Sequence, residues 1–234
     1  MVHARWLHPS VPHTVDAYLN ALTSLGIRVQ CAPKLYVNPA VTPKVDTFLN
    51  EQGIGPEDAL IGIQPGSKWP TKRWTAEGFA AVAEEIMQQP SVKVILLGDT
   101  NDKAFVEQIT SRLTHQPIIG TGQFNLQQLV GIIDRCTLLL TNDSGPMHIA
   151  SALGVSTVAL FGPTHPMLGF APRGGYARII TTNAPCSPCS LHGEKPCRQS
   201  YRACMEEIKP QQVLAAIESL MQIRPPKARR RATL

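Results

Sequence analysis

LLLTNDSGPMHIASALGVSTVALFGPTHP, residues Leu138 to Pro166, joins an apolar strand, a polar turn, a helix and a second apolar strand. That succession builds an anion site. Leu138 to Leu140 lead into Asn142, Asp143, Ser144 and Gly145, and Pro146 then suits the first turn of a helix, where its missing N–H costs nothing. The opening amides of such a helix have no intrahelical partner, and with the macrodipole they attract phosphate. The N–H groups from Ser144 to Met147 and the side chain of His148 are therefore candidate contacts. Asp143 is out of keeping beside an anion, and two roles stay open for it, capping the helix or gripping a sugar hydroxyl. His148 either hydrogen-bonds the ligand from the first helical turn or lies buried, linking helix to sheet.

A second polar segment matches it upstream. LIGIQPGSKWPTKRWTAEGF, from Leu60 to Phe79, again runs from an apolar strand through Gly, Ser, Lys and Arg into a helix. Pro65, Gly66 and Ser67 let backbone approach a ligand closely, while Lys68, Lys72 and Arg73 supply positive charge. The alternative is a solvated basic loop. Trp69 and Trp74, two of the three tryptophans, argue instead for a packed, partly desolvated site. There is no G-x-x-x-x-G-K-[ST] string and no G-x-G-x-x-G after the first strand, which argues against a P-loop NTPase and a standard NAD enzyme.

Around these blocks strands and helices alternate. Expected strands are Ala59 to Gln64, Val92 to Leu97, Pro117 to Ile119, Thr137 to Thr141, Val155 to Phe161 and Ala177 to Thr181. Helical spacing marks Phe79 to Ile86, Phe105 to Leu113, Leu126 to Ile133 after Asn125 as N-cap, and a last helix from Pro210. This predicts an α/β fold with a parallel sheet covered by helices on both faces and ligand at the carboxyl ends of the strands. Upstream, helical spacing from Val15 to Leu25 stops at Gly26, a short strand is expected at Leu35 to Val37, and a helix from Pro43 to Gln52 ends at Gly53.

Three ordered blocks, PGSKWPTKRW, NDSGPMHIASALG and ALFGPTHP, make the chain resemble the glycosyltransferase family 9 heptosyltransferases, which move a heptose from ADP-heptose to the lipopolysaccharide inner core. The resemblance implies a Rossmann-like domain forming the carboxy-terminal half of a GT-B enzyme. Residues 58–223 would be the nucleotide-sugar-binding domain, and 1–57 the hinge and remnant of the acceptor domain. It implies that Lys72 and Ser67, beside Gly66, hold the diphosphate, and that Asp143, Ser144, Gly145, Pro146, Met147 and His148 lie against the donor. Lys72 and Asp143 would carry the catalytic contribution. Gln127 or Gln128 stands where some members bind ribose with Glu. The general base would come from the amino-terminal domain, and His3, His8 and His13 are poor replacements for it. No cofactor is implied for catalysis, and the acceptor would be the lipopolysaccharide core. The alternative is a truncated nucleotide-sugar-binding or interaction protein without turnover.

At 234 residues and 43% apolar, the chain can bury one real core. No apolar run approaches the roughly 20 residues that span a bilayer, and the first residues lack a secretory core, so the cytosol is the expected compartment. A net charge of +5 favours anionic partners. Much of it lies in 224–234, RPPKARRRATL, expected to be a disordered tail that is either simply solvated or a tether to the anionic inner membrane. No nucleic-acid motif appears. Four of the six cysteines form Cys186-x2-Cys189-x7-Cys197-x6-Cys204 within loop 184–205. They could hold a structural zinc or an iron–sulfur cluster, stay reduced, or form disulfides. Cys31 and Cys136 are expected in the core.

Overall fold

The structure is a computed structural model and describes residues 11–55, 57–173 and 176–223. Six strands, β1 (Ala59–Gln64), β2 (Val92–Leu96), β3 (Ile118–Ile119), β4 (Leu138–Asn142), β5 (Ser156–Leu160) and β6 (Ala177–Ile180), form one sheet in the order β3-β2-β1-β4-β5-β6. Every pairing is parallel. Each strand lies within a residue of its expected bounds. The order reverses between β1 and β4, so their carboxyl ends flank a topological switch point, where open α/β sheets bind ligands.

Helices cover both faces. In β1, Ala59, Ile61 and Ile63 pack toward α3 (Ala76–Met87), α4 (Lys103–Thr110) and α8 (Pro210–Ile223), whereas Leu60 packs toward α2 (Thr42–Glu51), α5 (Leu126–Arg135) and α6 (Gly145–Leu153). This period-2 division, with both sets apolar, is what a doubly covered parallel strand requires. Local caps set the helix starts. Thr75 Oγ1 accepts from Gly78 N–H at 3.0 Å, and Asn125 and Gln128 form a capping box at α5.

The first helix is shorter than expected: α1 (Thr14–Asn20) passes into a 3₁₀ turn, Ala21–Leu25, and Gly26 closes it with φ +76°. Leu35 to Val37 is not a strand. The Leu35 N–H donates to the Ala152 carbonyl at 3.1 Å, but no ladder follows. Val45, Leu49 and Ile54 are buried in the same core as β1 and β2, so α2 belongs structurally to this domain. Cys136 is a core residue as expected, but Cys31 is exposed. No helix among the described residues is long and apolar enough to cross a membrane. The basic tail, His3 and His8 lie outside the described residues.

Candidate functional site

The two polar loops leave adjacent strands at the switch point, and buried Asn142 fastens them together. Its Nδ2 donates to the Pro65 carbonyl at 2.7 Å, and its Oδ1 accepts from the Trp74 N–H at 3.0 Å. Sequence reasoning missed this role, because an Asn at a strand end looks like any turn residue until the neighbouring strand is known.

Lys72 ends a 3₁₀ turn (Pro70–Lys72), and its Nζ donates to Asp143 Oδ2 at 3.1 Å. The same Oδ2 accepts from Thr164 Oγ1 at 2.7 Å, and Asp143 N–H donates to the Leu160 carbonyl. Asp143 therefore does not cap α6. Its Oδ1 has no partner among the described residues and can accept a hydroxyl. An ammonium carries three donors, so Lys72 keeps two beyond Asp143. Thr164, in the block ALFGPTHP, was not singled out, although that block was.

Ser67 is buried and its Oγ has no hydrogen-bond partner among the described residues, an arrangement that calls for one from outside. Its carbonyl accepts from Arg73 Nε and Nη2 at 3.0 and 2.9 Å. Arg73, read as a ligand cation, instead braces the loop: its Nη2 also reaches Asp102 Oδ1 at 3.3 Å. Gly66 lies against the Asp102 carboxylate, which fills the space any Cβ would need. Lys68 is exposed and lies 5.3 Å from the centroid of the Trp69 ring.

At α6 the Met147 N–H donates to the Ser144 carbonyl at 3.1 Å, and its side chain is fully buried with Ala159 and Phe161. This removes Met147 from the expected contacts. Pro146 has no N–H, which leaves the amides of Ser144 and Gly145 without partners among the described residues. The space above Gly145 is open for 4 Å around the position of a Cβ. His148 is exposed, which excludes the buried-link role. Crowding of its ring by protein still lowers its pKa below the ordinary 6.5, with desolvation ahead of the opposing charge of Asp143 and the reinforcing charges of His13 and Lys72. His13 is no base: its Nε2 donates to the Ala171 carbonyl and its Nδ1 accepts from Val15 N–H. Gln128 is engaged in the cap, while exposed Gln127 accepts from Asn38 Nδ2 at 3.2 Å and keeps its own amide donors.

The Asp102 carboxyl is raised above the ordinary 3.8. Burial is the main cause and Asp99 adds to it, against the lowering effects of the Asp99 amide, Arg73 and Gln64. A carboxyl raised on folding binds protons more tightly in the native state, so the stability it contributes is full below about 3.8 and declines as pH rises through the folded value. The stability of the wild type relative to Asp102→Asn should therefore fall as pH rises from about 4. Urea midpoints of the two chains across that range test this, and a pH-independent difference contradicts it.

The four loop cysteines are free thiols around a single cavity. Burial pushes Cys204 up to about 12, with smaller additions from Cys189, Cys186 and Cys197. In the core, burial likewise pushes Cys136 up to about 12.

The chain is similar to lipooligosaccharide heptosyltransferase 2 of Campylobacter jejuni, 31% identical over 69% of this chain and 51% of that protein. It spans about half the length of such relatives. Among solved structures it is similar to a family 9 glycosyltransferase of Veillonella parvula (31% identity, TM-score 0.80, covering 92% of this chain and 61% of that one). It is also similar to the ADP-heptose lipopolysaccharide heptosyltransferase II of E. coli (28% identity, TM-score 0.68, covering 84% and 56%). The family profile, glycosyltransferase family 9 (heptosyltransferase), matches residues 7–198. The strand order agrees with that match, which means the chain belongs to glycosyltransferase family 9.

Proposed function

We infer that this chain binds the donor in an inverting heptosyl transfer from ADP-heptose to the lipopolysaccharide core. The observation that carries the reading is the orphaned hydroxyl of buried Ser67, set at the switch point with Lys72 and the open amides of Ser144 and Gly145. A diphosphate would satisfy all four groups at once. As an acceptor hydroxyl attacks the anomeric carbon and the bond to the diphosphate oxygen breaks, negative charge builds on that oxygen. Lys72 and the amides would stabilise it, as oxyanion-type donors do by about 2.7 to 4 kcal/mol each. Asp143 Oδ1 would accept a heptose hydroxyl, and the amide of Gln127 would reach the ribose. The base that takes the acceptor proton would come from an amino-terminal domain. Work at the cytoplasmic face of the inner membrane, on a lipopolysaccharide acceptor, is part of the same proposal.

Calorimetric titration of the chain with ADP, UDP and GDP tests it. ADP is expected to bind in the micromolar range and more tightly than the other two, and Ser67→Ala should weaken it. A folded chain that binds none of the three would overturn the donor reading and leave the motifs as scaffold.

A further inference from the structure

The loop between β6 and α8 runs from residue 181 to 202 without helix or strand, before the short α7 (Ala203–Glu206). Loops of that length without regular structure need something to hold them. Hydrogen bonds do part of this: Cys189 and Ser190 N–H both donate to the Pro163 carbonyl, and Ser190 Oγ donates to Glu194 while accepting from Gly193 N–H. The loop nevertheless buries few apolar side chains.

Cys186, Cys189, Cys197 and Cys204 all line one cavity of about 20 Å³. That is room for about one water-sized body, and too little for an organic ligand. Lys195 and Arg202 line the same cavity. Their positive charge favours what the thiols would become around a metal, with Arg202 Nε also paired to Glu206 Oε1 at 3.2 Å. A divalent ion bound by four thiolates carries a net charge of −2, its four metal–sulfur bonds forming as four protons leave to solvent. The thiols face the cavity without already converging on a point: among the described residues no group of three or more His, Cys, Asp or Glu is pre-arranged around an ion. Coordination would draw them in, Cys197 from an exposed position.

The same loop forms one wall of Lys72. Gly193, at φ +90°, leaves no space for a Cβ, which would lie 2.6 Å from Lys72 Cγ and 2.8 Å from its Cδ. Thr71 Oγ1 donates to the Gly193 carbonyl. Arg202 Nη1 donates to the carbonyls of Pro70 and Arg73, both at 2.9 Å, and so grips the turn that carries Lys72 from its other side.

We propose that Cys186, Cys189, Cys197 and Cys204 bind one tetrahedral metal ion, zinc or ferrous iron, whose role is to tie this loop against Lys72. The metal site stands independently of the donor reading; only its link to nucleotide binding rests on it. The full chain, purified without chelators and then reduced, is assayed by elemental analysis and titrated with Co²⁺. About one equivalent of zinc or iron, or uptake of one Co²⁺ with the intense visible bands of tetrahedral thiolate cobalt, is expected. Cys189→Ser should lose the site, while Cys31→Ser should keep it. Less than one-tenth equivalent as isolated together with no tetrahedral cobalt spectrum overturns the proposal, and so does a disulfide between any two of the four. Because the cobalt titration uses the wild-type chain, misfolding of a variant leaves the test intact. Metal removal is then expected to weaken ADP binding several-fold in a chain that binds ADP. Metal retention with no ADP binding would fail the donor reading while sustaining the site.

Discussion

Replacing Trp74 by alanine should destabilise the chain by about 3–5 kcal/mol, the usual range for removing a buried aromatic. Its indole is 1% exposed, meets Phe79 edge-on with centroids 5.1 Å apart, and donates from Nε1 to the Ile208 carbonyl at 3.2 Å. Gly78 is glycine because the indole occupies the space a side chain would take. The ring therefore bonds α3 to the turn before α8, and no neighbour can fill the gap without moving both. Such a loss is a large part of the stability of a typical domain, about 5–15 kcal/mol. Urea unfolding followed by far-UV circular dichroism measures it. Trp74→Phe should be less damaging, since it keeps much of the packing and loses the bond to Ile208. A loss below about 1 kcal/mol for the alanine variant would show that the indole is not packed in this way.

Lys72→Ala should weaken ADP binding at least tenfold, about 1.4 kcal/mol or more. Two effects add. The variant removes the cation with donors to spare for phosphate, and it exposes the phosphates to an unneutralised Asp143, whose side chain is only 10% exposed. The double variant Lys72→Ala/Asp143→Asn should therefore bind ADP better than the single one, although less well than wild type. Calorimetry on the four chains of this cycle, each checked for a native circular dichroism spectrum, separates the effects. Unchanged affinity in the single variant would mean that Lys72 serves Asp143 alone.

The sheet was legible because buried parallel strands are near-continuous apolar runs, and those runs end at the same polar turns that make the site. The strand reading failed at Leu35 to Val37 and the core reading at Cys31, where short apolar stretches lie on the exterior with no adjacent strand to pair among the described residues. At the site, Ser67, Lys72, Asp143 and the opening of α6 could be picked out as chemistry in a polar turn. What was hidden is what holds them. Arg73 looked like a ligand cation, yet it is occupied by Asp102 and the Ser67 carbonyl, partners set by the β1–β2 pairing. Met147 looked like a donor because a helix start frees its first amides, but a local turn bond to Ser144 claims that amide.

The clamp made by Asn142 has a consequence for how the nucleotide is received. With Pro65 held on one side and Trp74 on the other, the loops after β1 and β4 are parts of one rigid jaw. Their ordering entropy is lost during folding, so a diphosphate bound as proposed would meet a preorganised grip and need not close one. Selection in this half should then work by fit, with the free and bound loops nearly superimposable.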